Sequence, residues 1–235
     1  MEALNYCEVD ESWTLEEIAR ICPPPGWVDF FAKTQPIIAY ISSQIEDTQF
    51  YPLRQDVFKA FDLTPMNEVK VVIIGQDPYP QTMDNGLPLA QGLAFSVPRD
   101  QPIPRSLNNI FKHMEQTLPN FNRPSSGDLT SWATQGVLLL NAALTVVPGH
   151  PGSHEKLWRP FVREVLRTLS QSNSKIIYLL WGSKAKSLRS SIMGDPIIFE
   201  SSHPVTNTFS MDFSQINQIL QAKALKSIDW NLSSP

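Results

Sequence analysis

The chain is expected to be an α/β protein, a parallel sheet with helices on both faces. Three observations predict this. Apolar runs of strand length alternate with helix-like ones from residue 69 onward. The run Val71-Val72-Ile73-Ile74 places four β-branched residues in succession, the pattern of a strand covered on both faces. No internal repeat, low-complexity tail or linker divides the 235 residues, so a single domain over 1–235 is expected.

In chain order, residues 1–68 read as a helical portion that packs outside the sheet. Thr14 and Glu17 have the spacing of a capping box, and Trp27 to Ile45 carry apolar groups on a helical stripe. Strand-like and helix-like runs then follow at 69–75, 106–118, 136–141, 159–171, 175–181, 183–193 and 196–200. The 20 prolines cluster in connections such as 23–25 and 98–104, which predicts long but stiff loops.

Composition sets further bounds. With 42% hydrophobic and 18% charged residues, the chain can bury a core, and wholesale disorder is excluded. No apolar run approaches the roughly 20 residues of a membrane span, and residues 1–24 lack the form of a secretory leader. An intracellular protein with no membrane association is therefore expected. Cys7 and Cys22 lack metal-ligand spacing with histidines and read as reduced thiols, so no metal and no cofactor is expected. The net charge of −4 weighs against tight nonspecific binding to nucleic acid, which draws on Lys and Arg. A local field from Arg99, Arg105, Lys184 and Lys186 can still serve phosphates, although ordinary solvated charges explain the lysines equally well.

The densest signal is Val71-Val72-Ile73-Ile74-Gly75-Gln76-Asp77-Pro78-Tyr79-Pro80, where a buried-strand pattern ends in a carboxylate among turn formers. Ligands of open α/β sheets collect beyond the carboxyl ends of such strands. Pro78 and Pro80 hold Asp77 and Tyr79 in a stiff, non-helical loop. Taken alone, a strand followed by Asp-Pro also fits a carboxylate that caps a turn.

Other segments join it in order: Gly92-Leu93-Ala94-Phe95-Ser96-Val97, Pro102-Ile103-Pro104-Arg105-Ser106-Leu107, Gly127-Asp128-Leu129 and Ser131-Trp132-Ala133. Gln135-Gly136-Val137-Leu138-Leu139-Leu140-Asn141, Ser153-His154, Leu179-Leu180-Trp181-Gly182-Ser183, His203-Pro204 and Ile228-Asp229-Trp230 complete the series. Together they resemble the family 1 uracil-DNA glycosylases over most of the chain. The resemblance implies a central four-stranded parallel twisted sheet flanked by helices. It also implies base flipping and hydrolysis of the bond between uracil and deoxyribose, in single- and double-stranded DNA, leaving an abasic site.

By the same resemblance, Asp77 orients water and opposes an oxocarbenium-like sugar, while His203 donates a hydrogen bond to uracil O2 as charge builds there. Phe95 offers a stacking face, and Gln76 a backbone amide to O2. Tyr79 fills the space of a C5 methyl group, excluding thymine. Asn141 matches N3–H and O4 of uracil, and cytosine presents the reversed pattern. Pro104, Ser106, Ser153 and Ser183 fall at DNA-backbone positions, where any lone serine also reads as solvated.

The chain departs from the family pattern at two places. Pro80 stands where a histidine is usual. After His203 the sequence Pro204-Val205-Thr206-Asn207-Thr208-Phe209 shortens the loop that carries an intercalating leucine. Val205, Thr206, Asn207 and Thr208 are the residues left to act there, and the longer segment after Pro80, Thr82 to Pro88, is an alternative wedge. Inhibitor proteins of the family are implied as further partners, and a monomer is expected. The competing class is a DNA-binding replication accessory with the same fold and little or no catalysis. A nucleotide-binding α/β protein finds no support, since the sequence has neither a P-loop nor a dinucleotide fingerprint.

Overall fold

The computed structural model describes residues 7–232. Residues 1–6 and 233–235, included in the expected 1–235 and 1–68 boundaries, lie outside the described residues. Three helices come first: α1 (Leu15–Ile21), α2 (Val28–Ile45) and α3 (Lys59–Leu63). The capping box starts α1 as expected, since the Thr14 hydroxyl accepts from Glu17 N and the Glu17 carboxylate accepts from Thr14 N. After these come β1 (Val71–Gly75), α4 (Arg105–Thr117), α5 (Thr130–Ala133) and β2 (Val137–Asn141). The chain closes with α6 (Glu155–Ser172), β3 (Ile177–Trp181), α7 (Gly182–Lys186), β4 (Ile197–Ser201) and α8 (Phe213–Ala222).

The four strands form one parallel sheet in the order β2-β1-β3-β4. The first three are buried along their whole length, which is why their sequences are continuously apolar. β4 is an edge strand, half-buried apart from exposed Glu200 and buried Ser201. The chain passes from β1 outward to β2, then returns across β1 to β3. Right-handed crossovers in opposite directions put their helices on opposite faces. Accordingly α2 packs with α6, and α4 with α8. One core cluster spans both layers. On the α6 side Trp27, Phe30, Phe31, Phe58, Phe61 and Phe161 meet edge to face, for example Trp27 on Phe61 at 5.0 Å. On the other side Trp132, Trp181, Phe213 and Trp230 do the same.

Two sequence expectations are corrected. Cys7 and Cys22 are joined in a disulfide with Cα atoms 5.7 Å apart, not two reduced thiols. Cys22 caps the C-terminus of α1, where the fold brings it back to Cys7, a proximity that spacing in sequence does not encode. The second concerns α6, which starts at Glu155 rather than near residue 159 and carries Pro160 in its interior. Burial of Trp158, Phe161, Val162 and Val165 outweighs the hydrogen bond that the proline removes.

Candidate active site at the carboxyl edge of the sheet

All four strands are parallel, so their carboxyl ends open on the same edge. β1 delivers Gln76 and Asp77, β2 ends at Asn141, β3 leads into Gly182, and β4 into His203. The β1–β2 ladder continues past the strands, with Ala142 N donating to Gly75 O at 3.0 Å and Ala143 N to Gln76 O at 3.1 Å. That extension clamps the loop carrying Asp77 against the loop carrying Asn141. Gly75 is required where it stands: a Cβ there would fall onto the Asn141 side-chain oxygen and lie 3.1 Å from Ala94 Cβ. Gly182, at φ +88°, allows His203 to approach so closely that an added Cβ would sit 3.0 Å from His203 Cβ.

These loops enclose a cavity of about 230 Å³. Gln76, Asp77, Tyr79, Phe95, Asn141 and His203 line it, with Ser106 at its margin. It is smaller than the roughly 300–1,000 Å³ of drug-sized ligand sites, a volume suited to one small molecule. Phe95 holds a left-handed backbone at φ 65°, a conformation that costs a non-glycine residue of order 1–3 kcal/mol. Its neighbours over-determine it. Ala94 N donates to Leu139 O at 3.0 Å, the buried Ser96 hydroxyl accepts from Leu129 N at 2.9 Å, and the Tyr79 hydroxyl donates to Phe95 O at 3.2 Å. The Phe95 ring lies 5.7 Å from Trp181 and 6.1 Å from His203, centroid to centroid.

The polar groups are poised rather than spent. Asn141 is buried, yet its carboxamide has no hydrogen bond among the described residues and borders the cavity. One Asp77 carboxylate oxygen accepts a short hydrogen bond from Gly152 N. Burial pushes the Asp77 carboxyl above its ordinary value; the Gly152 bond and Lys184 oppose this, and Glu155 adds to it. His203 Nδ1 accepts from Val205 N at 3.1 Å, which leaves the proton on Nε2 in the neutral ring. Burial lowers the His203 pKa, so the neutral form is favoured further.

Among known proteins, the chain matches a family model described as the uracil DNA glycosylase superfamily over residues 61–221. The chain belongs to the uracil-DNA glycosylase superfamily. It is 39% identical to a Streptococcus agalactiae protein named uracil-DNA glycosylase, over 87% of this chain and 97% of that one. The Yersinia pestis protein of the same name is also 39% identical, over 91% and 98%. Among solved structures, mimivirus uracil-DNA glycosylase superimposes with a TM-score of 0.84 at 28% identity, covering 99% of this chain and 97% of that one. A variant of the mimivirus protein, solved in complex with UGI, gives a TM-score of 0.81 at 30% identity over 89% of each chain.

Within this superfamily chain, the expected site residues divide into four groups. Gln76, Asp77, Tyr79, Phe95, Asn141, His203 and Ser106 meet at the cavity. Pro104 caps the start of α4 and borders a separate groove beside Tyr79. Ser153 and Ser183 lie outside the cavity lining. The Ser153 hydroxyl accepts from Val147 N at 2.8 Å, which keeps its proton free to donate, and Ser183 is exposed at the start of α7. In the loop after His203, the Thr206 hydroxyl bonds Ser202 Oγ at 2.9 Å and His203 O at 2.8 Å, and Thr208 bonds Ser202 Oγ at 3.0 Å. Val205 is left as an exposed apolar side chain, with Asn207 exposed nearby.

Two of the four candidate cations are already ion-paired, Arg99 with Asp128 at 3.0 Å and Lys184 with Glu155 at 2.7 Å. Sequence reasoning missed Gly152 and Pro151, the loop that holds Asp77 and closes one side of the cavity. The Pro148-Gly149 and Pro151-Gly152 pairs were the available signal, since such pairs mark tight turns. No helix among the described residues is long and apolar enough to cross a membrane.

Proposed function

We propose that the chain removes uracil from DNA by hydrolysing its bond to deoxyribose, leaving an abasic site. The observation that carries this reading is the single 230 Å³ cavity shared by Asp77, Tyr79, Phe95, Asn141 and His203. Uracil enters by base flipping and stacks on Phe95. Asn141, buried with its donor and acceptor unspent, pairs with N3–H and O4. Cytosine would leave both groups facing like partners, a penalty of about 1–3 kcal/mol for each unsatisfied group. The Tyr79 ring blocks a C5 methyl group.

As the glycosidic bond stretches, negative charge gathers on the uracil ring and positive charge on the sugar. Neutral His203 meets the first through Nε2–H, joined by the Gln76 backbone amide. A preorganised donor of this kind is typically worth about 3–4 kcal/mol. Asp77, ionised at neutral pH, opposes the second and orients the attacking water. Ser106, Ser153, Ser183 and the turn at Pro104 take the DNA backbone. A pure DNA-binding scaffold has no use for an unpaired buried amide and a tautomer-fixed histidine in one cavity.

In the shortened loop after His203, Val205 is the exposed apolar side chain, while the hydroxyls of Thr206 and Thr208 are tied to Ser202. Valine gives less surface than leucine to fill the vacated stack, and Pro80 removes a histidine contact to phosphate. The chain therefore favours single-stranded over duplex uracil. It works as one unit over 1–235, the helical portion 1–68 serving as support, and acts as an intracellular monomer. It is a candidate target for inhibitor proteins of the kind bound to the mimivirus protein.

The test is incubation, without added metal, with a single-uracil oligonucleotide as single strand and as U·A and U·G duplexes, abasic sites being read by alkaline cleavage. Release from all three, fastest from single strand, is expected. No release by folded protein would make DNA binding without catalysis the better account.

A further inference from the structure

Beside the uracil cavity lies a second, larger depression, bordered by Tyr79 and by the turn at Pro104, whose interior has no occupant in the reading above. Residues 81–89 form a small hairpin. Leu89 N donates to Gln81 O at 3.0 Å, Met83 N to Leu87 O at 2.8 Å and Gly86 N to Met83 O at 2.9 Å. The hairpin is anchored by the Tyr51 hydroxyl on the Thr82 hydroxyl at 2.5 Å. Between it and the stiff loop 101–104 runs a groove of about 430 Å³. Tyr79 and Gln81 border both the groove and the uracil cavity, so the two are neighbours that share a wall.

The lining defines the occupant. Met83, Leu89, Ile103 and Pro104 are half-buried and supply apolar contact area. The carboxamides of Gln81 and Gln101 have no hydrogen bonds among the described residues, and each offers both a donor and an acceptor. The one charged group is Asp84, which repels phosphate. Apolar surface beside uncommitted amides, with no cation in the lining, suits the face and edge of a nucleobase, its phosphates staying outside at the rim by Pro104.

We infer that this groove binds an unstacked base next to the flipped deoxyuridine, making the chain a reader of the flanking nucleotide in single-stranded DNA. The inference rests on the uracil-removal reading. In a duplex the flanking base stays paired and stacked, so the groove serves single strands selectively.

The test uses the full chain and single-stranded oligonucleotides with one uracil, in which each of the two neighbours on either side is a normal nucleotide or a baseless tetrahydrofuran. At one neighbouring position, loss of the base should lower kcat/KM about fivefold, the order expected for one stacked base. In Met83→Ala and in Ile103→Ala the ratio of kcat/KM between base and baseless substrate should shrink toward one. Equal kcat/KM with and without each base overturns the inference, as does a base effect that both substitutions leave intact. A parallel anisotropy titration uses the same strands carrying non-hydrolysable 2′-fluoro-deoxyuridine. If no uracil is released from any substrate, the proposed function fails by itself and the titration decides the groove. An affinity that depends on the flanking base and is lost in the two variants supports it, and one independent of that base overturns it.

Discussion

His203 carries its tautomer in its backbone. Because Val205 N donates to Nδ1, protonating the ring would sacrifice that bond and charge a half-buried group, and both costs keep the imidazole neutral. Asp77 faces the opposite demand, since it acts ionised while burial raises its pKa above the ordinary carboxylate value. Activity requires the carboxylate, so kcat/KM holds at neutral pH and falls as pH drops through the raised Asp77 pKa. Glu155 contributes to the upward shift and Lys184 opposes it. In Glu155→Gln the acid limb of the pH–rate profile should therefore move to lower pH; an unmoved or higher midpoint would refute this account of the carboxylate. At this scale the sequence was informative about identity and silent about state. Asp77, Asn141 and His203 could be named in advance, but the tautomer, the Gly152 bond and the unspent Asn141 amide depend on atoms brought from 2 to 75 positions away.

At the scale of elements, the strand termini act as fixed mounts. Each of the polar site residues Asp77, Asn141 and His203 follows or ends a strand of the same parallel sheet, and glycines at Gly75 and Gly182 make room for Asn141 and His203. Gly75→Ala should push the Asn141 carboxamide aside, and a displacement near 1 Å costs on the order of 100-fold in rate. The check is kcat/KM on a uracil oligonucleotide with the melting temperature measured in parallel; a folded variant with unchanged kcat/KM would show that Asn141 needs no such clearance. The elements themselves were largely readable, because strands buried on both faces and helices with one apolar stripe carry their periods in sequence. Exceptions have local causes. The N-terminal turn of α6 was missed because Pro160 reads as a start when tertiary burial makes it an interior residue. The 81–89 segment was seen as an insertion but not as a hairpin, since its pairing is two-stranded, short and largely exposed.

At the scale of the whole molecule, the disulfide links the start of the described chain to the end of α1. The chain-entropy estimate for closing such a loop is about 3 kcal/mol. Because the segment lies at the periphery, that figure is an upper bound. Reduction, or Cys22→Ser, should lower the melting temperature while leaving uracil release nearly unchanged; an unchanged melting temperature would mean the arm adds nothing to global stability. The sequence by itself determined the α/β class, the parallel sheet, the family and the residue types at the site, because each is encoded by local periodicity or by contiguous motifs. Only the tertiary structure decided the Cys7–Cys22 pairing, the ionisation states, the anchoring of Asp77 by the 148–152 loop and the groove beside Tyr79. Those features are set by distances between segments remote in sequence, and such distances exist only once the core has packed.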